Sequence, residues 1–195
     1  MRLVGPSLLL VVLAACTPEE PKTPEQPTAA PTAAASAPVD PDAGRAPTPY
    51  TAAQIREANP AGRTLTYVIE APDKAPIRQR FRFAAADDEH ATIATEVLSE
   101  DGKVLGEPEM KISSWEELRH HASYPKEATT IADATAETPA GSFPCKRYTV
   151  IEQTDKGKKR TIACFAKDMP GPPVEMTVEL DGALVMSMTL VKREP

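Results

Sequence analysis

The chain has 195 residues, 22 of them Lys or Arg and 28 Asp or Glu, for a formal net charge of -6. An acidic surface is repelled by phosphate at long range, which excludes nucleic acid as a bulk partner and confines any contact with anionic lipid to a local patch. Residues 51–195 suffice for one hydrophobic core, so a single globular domain is the expected count.

The first sixteen residues form a unit of their own. Arg2 supplies a positive charge, residues 8–13 an apolar run, and Leu13-Ala14-Ala15-Cys16 closes it with small residues before a cysteine. The run falls well short of the roughly 20 residues that a membrane-spanning helix needs. This pattern resembles the lipobox of bacterial lipoproteins. The resemblance implies cleavage before Cys16, acylation of its sulfur, and membrane anchoring through lipid, stable when two chains are carried. Thr17 stands where an Asp would resemble the inner-membrane retention signal of enterobacterial lipoproteins, so the resemblance implies the outer membrane in a host of that kind.

Residues 17–49 are dominated by Pro, Ala, Thr and Glu without apolar periodicity. Such a stretch cannot bury enough surface to offset the ordering of its backbone, and residues 16–50 are expected to form a lipidated, disordered tether. Extended at about 3.1 Å per residue, it would reach on the order of 100 Å.

The domain begins with Thr51-Ala52-Ala53-Gln54, a capping box, and a short helix stopped by Asn59-Pro60. Residues 63–70 then alternate with Leu65, Tyr67 and Ile69 on one face. Residues 77–84 alternate with Ile77, Phe81 and Phe83 opposite Arg78, Arg80 and Arg82. A third strand over 90–99 turns at Asp101-Gly102 and continues toward Ile112, where Pro108 restricts it to an edge or a bulge. Ser113 and Glu116 have capping-box spacing for a second helix, ending before Tyr124-Pro125 and laid on the sheet by Trp115 and Leu118.

Strands over 130–137, 143–154 and 159–167 follow. If Cys16 carries lipid, Cys145 and Cys164 are the cysteines left to pair in an oxidising compartment. Their odd index sum fits a two- or four-residue loop that places both side chains on one face, opposed or one step diagonal. In the last hairpin a three-residue Leu180-Asp181-Gly182 loop would align Val178 with Leu184 and Met176 with Met186.

The expected fold class is therefore α+β and mostly antiparallel β: a curved sheet or half-barrel with a short N-terminal helix and one helix inserted over the sheet. This order of elements resembles the half-barrel of the LolA/LolB lipoprotein-carrier superfamily over residues 51–193, without a diagnostic motif. Residues 138–145, 163–167 and 170–173 also resemble a pattern in uncharacterised bacterial lipoproteins, which implies no activity.

Phe81, Phe83, Met176, Met186 and Met188 are the candidates to line an acyl-chain cavity, because methionine is pliable and polarisable. The first reading of the three methionines is nevertheless a packed core. Arg78, Arg80 and Arg82 either form a solvated sheet face or bind an anionic head group from the concave side. Lys156, Lys158, Lys159 and Arg160 gather at a hairpin tip. Glu116 with His120, and Glu117 with His121, share helix faces, but two ligands fall short of a structural metal site, so neither metal nor cofactor is expected.

No enzyme is expected either. Gly141-Ser142-Phe143-Pro144-Cys145 is not a nucleophile elbow, no histidine is placed to activate Ser142, and Asp87, Asp88 and Glu89 sit in a polar turn. The expectation is an envelope lipoprotein that binds a hydrophobic or amphipathic ligand. Its alternative is an interaction module with a filled core that contacts an envelope protein.

Overall fold

The structure is a computed structural model that describes residues 42–195. The signal segment, Cys16 and most of the expected tether lie outside the described residues. After α1 (Ala52–Ala58) come four strands: β1 (Thr64–Glu70), β2 (Ile77–Ala86), β3 (His90–Leu98) and β4 (Val104–Ser114). Helix α2 (Trp115–His120) and a 3-10 turn (Lys126–Ala128) lead into five more: β5 (Thr129–Thr138), β6 (Gly141–Thr154), β7 (Gly157–Ala166), β8 (Glu175–Leu180) and β9 (Ala183–Glu194).

All nine strands form one curved, unclosed antiparallel sheet in the order β4-β3-β2-β1-β9-β8-β7-β6-β5. Two meanders are thus joined where β1 pairs with β9. β4 and β5 occupy opposite edges, so the chain between them has to cross a face of the sheet. That crossing is made by α2 and the segment after it, which explains why a helix is inserted mid-chain. α1 packs against α2.

Two apolar clusters hold the unit together. One gathers Leu65, Tyr67, Phe143, Val174 and Leu190 around Cys145 and Cys164; the other joins Tyr50 and Ile55 to Phe83, Trp115, Tyr148 and Phe165. The second cluster reaches back before α1. Ala46 is buried, its N–H donates to the Tyr124 carbonyl (2.9 Å), and Asp42 pairs with Arg119 (3.0 Å). The Tyr148 hydroxyl donates to the Pro47 carbonyl (2.8 Å). Residues 42–50, expected in the tether, therefore belong to the folded unit. Tyr50 buries its ring there, which the proline-rich composition preceding it obscured.

Thr51 and Gln54 form the expected capping box. The second box is one residue later than expected: Ser114 caps α2 and Glu117 closes the box, not Ser113 and Glu116. Pairing with β3 extends through Ser114, and Ser113, opposite Ala91, points into the interior with its hydroxyl unpartnered. Ser114→Ala is therefore expected to cost about 1 kcal/mol, while Ser113→Ala leaves the urea midpoint unchanged or slightly raised. Equal losses from both would contradict this assignment.

β6 and β7 are joined by the two-residue loop Asp155-Lys156, and Cys145 and Cys164 form the disulfide one step diagonal across the ladder. The last hairpin differs from expectation. Its loop is the two-residue Asp181-Gly182, with both residues at positive φ (50° and 82°), and Leu180 pairs with Ala183. A bulge after Glu179–Leu184 then shifts the register, pairing Val178 with Met186 and Met176 with Met188. Met176 and Val178 share a face with Met186 and Met188, aligned by an extra residue in β9 rather than in the loop, whereas Leu184, opposite Glu179, falls on the other face and not beside Val178 as expected.

Candidate functional site

Because α2 and the chain after it cross the sheet without filling the space beneath, a pocket of about 360 Å³ remains between them. Phe81 and Phe83 of β2 and Ile93 and Thr95 of β3 form its floor, Met176, Met188 and Phe165 one wall. Leu118, Ala122 and Tyr124 lie on the crossing side, and Gly171, Pro172 and Pro173 close another. Ligand pockets commonly run from about 300 to 1,000 Å³ with mostly apolar linings, and this one falls in that range.

The proline loop is fixed by Asn59. Its fully buried amide donates to the Ile55 carbonyl (2.6 Å) and the Pro170 carbonyl (2.9 Å), tying the end of α1 to the loop. Trp115 anchors the helix over the floor: its ring is stacked on Phe83, and its indole N–H donates to the Asp87 carbonyl (2.9 Å).

Of the residues that sequence reasoning singled out, Phe81, Phe83, Met176 and Met188 come together in this pocket, whereas Met186 is half-buried and does not line it. The arginine stripe points to the other face of β2. There Arg80 and Arg82 both pair with Glu96, a carboxylate only 5% exposed. Arg78, Arg80 and Lys192 border a second cleft of about 410 Å³ with Glu194. Cationic stripe and apolar pocket are therefore separate features. At the basic hairpin tip, Lys159 faces Glu152 (3.8 Å) and Arg160 pairs with Glu179 (3.2 Å). His120 lies 3.2 Å from Glu116 beside Arg119.

Four polar residues of the pocket were not singled out by sequence as ligand-facing: Thr95 in the floor, and Lys111, Ser113 and His121. Register shows why. Lys111 is opposite Ile93 and Ser113 opposite Ala91, so both share the pocket face, while Met110 and Ile112, opposite Ala94 and Thr92, take the outer face. Met110 is 52% and Ile112 70% exposed. The strand carries its polar side inward, the reverse of the usual pattern for a half-buried strand. The His121 imidazole has its pKa lowered, chiefly by burial and further by the nearby Lys111 ammonium, with Glu117 opposing. Among the described residues no three His, Cys, Asp or Glu side chains form a group suited to a metal ion.

No family model and no curated protein matches the chain. Solved structures similar to it include a Bacteroides fragilis protein described as exported, with a YmcC-like fold. It shows 12% identity and a TM-score of 0.47 over 70% of this chain and 97% of that one. A Parabacteroides distasonis protein described as a lipoprotein shows 9% identity and a TM-score of 0.45 over the same shares.

Proposed function

We propose that the chain is an envelope lipoprotein, acylated at Cys16 and held in the outer membrane, whose concave sheet face binds a hydrophobic or amphipathic ligand. The observation that carries the binding reading is the apolar pocket beneath α2, framed by Phe81, Phe83, Met176 and Met188. The N-terminal signal pattern supports the anchoring. The role is one of binding, in the manner of a carrier or sensor, with no chemical step assigned to the chain.

The test is native mass spectrometry of the full chain carrying Cys16→Ser, exported to an oxidising periplasm and purified without detergent. The expected spectrum carries a lipid-sized adduct, which Met176→Trp abolishes by filling the pocket while the protein stays folded by circular dichroism. A bare protein mass would instead favour the interaction module. That second reading has its own support in the exposed Met110 and Ile112 on the outer face of β4, a surface suited to an envelope protein partner.

A further inference from the structure

The pocket is not uniformly apolar, and its polarity is one-sided. Lys111 and Ser113 enter it from edge strand β4, and His121 from the chain just after α2. The Ser113 side chain is 1% exposed and its hydroxyl has no hydrogen-bond partner. A buried hydroxyl left unpaired is costly, and in a binding site it is a donor held for something else. Lys111, by contrast, is exposed, so its ammonium is available to a ligand at no cost of burial.

Along the same face the character changes. Past Gln79 on β2 the same face presents Ile77, and past Thr95 on β3 it presents Val97, which pairs with Leu105. These three side chains are 47%, 40% and 54% exposed. Strand alternation puts them on the pocket face. With Glu109, opposite Thr95, and Gln79, opposite Val97, on the same face, the concave surface runs from a polar end carrying Lys111 and Ser113 through the apolar pocket to an open, mainly apolar strip.

Resting on the binding reading above, we propose that Lys111, Ser113 and His121 form a head-group seat, and that the ligand is a single-chain amphiphile ending in a carboxylate. The Lys111 ammonium supplies the charge and the Ser113 hydroxyl a donor. Glu117, one turn before His121, and Glu109, two residues before Lys111 on the same strand face, discourage a second negative charge and so favour a monoanion over a dianion. The exposed strip takes the far end of the chain. A second copy of the protein seated on that strip would leave the polar end unused.

Calorimetric titration of the full chain carrying Cys16→Ser, at pH 8, with dodecanoate and with 1-dodecanol below the concentrations at which they aggregate, tests this. Dodecanoate is expected to bind about tenfold more tightly than the alcohol. Lys111→Ala should remove that preference, Lys111→Arg should retain it, and Ser113→Ala should weaken the acid several-fold with little effect on the alcohol. Equal affinities for acid and alcohol, or a preference that survives Lys111→Ala, would overturn the seat while leaving the pocket as a binding site. Absence of binding by either compound, in a chain that circular dichroism shows to be folded, would overturn both readings.

Discussion

Replacing Trp115 with alanine is expected to lower the stability of the folded unit by about 3–5 kcal/mol, the range for truncating a buried aromatic side chain. The residue is 4% exposed, lies nearly parallel to the Phe83 ring at 6.4 Å between centroids, and donates its indole N–H to the Asp87 carbonyl. The loss has two parts. One is the cavity left under α2. The other is the release of a hydrogen bond tying the helix to the β2–β3 turn. Trp115→Phe should keep most of the packing, forfeit the hydrogen bond and cost about 1–2 kcal/mol. Trp115 is the only tryptophan in the chain, so its fluorescence reports unfolding in the native protein. The variants are followed by circular dichroism in urea. A loss below about 1 kcal/mol for the alanine variant would show that α2 is not packed on the sheet as described.

Removing the disulfide has an effect of comparable size. Cys145 and Cys164 are 19 residues apart, and the bond restricts the unfolded chain by about 3 kcal/mol. Both side chains are buried, so the double Cys145→Ala, Cys164→Ala variant keeps the core apolar and adds to the loss of the crosslink the packing of two sulfur atoms. Its urea midpoint should fall by the corresponding amount and be insensitive to reductant. The native chain in reductant should fall toward the same midpoint. An unchanged midpoint in the double variant would mean that the β6–β7 hairpin persists in the unfolded chain without its bond.

What the sequence disclosed and what it withheld follow from the physics of each signal. The capping box of Thr51 and Gln54 is local chemistry and is legible to the residue. For α2 the same chemistry was available at Ser113 and at Ser114, and only the register of β4 on β3, a non-local fact, decides between them. The cysteine index sum constrained the β6–β7 loop because both side chains must meet. No such covalent demand acted on β8 and β9, where a bulge did what a longer loop was expected to do.

The site was legible by halves. Alternation told that Phe81 and Phe83 share a face opposite the arginines, and this holds in the sheet. It does not tell which face of an edge strand turns inward. On β4 the natural reading would put Met110 and Ile112 inside; the opposite arrangement brings Lys111 and Ser113 to the pocket. Sequence pattern records hydrophobicity alone, whereas orientation on an edge depends on the chain that crosses the sheet.

The sheet stops at β4 rather than closing on itself, and an unpaired edge can template another strand. β4 carries Leu105, Met110 and Ile112 in exposed positions, apolar enough to invite it. Yet Pro108 offers no N–H, and the ladder between β3 and β4 breaks register just there, between Thr95 and Val97. A neighbouring copy could not run a continuous row of hydrogen bonds past that point. With one of its two edges interrupted in this way, many copies crowded on one surface could not grow, strand upon strand, into a fibre.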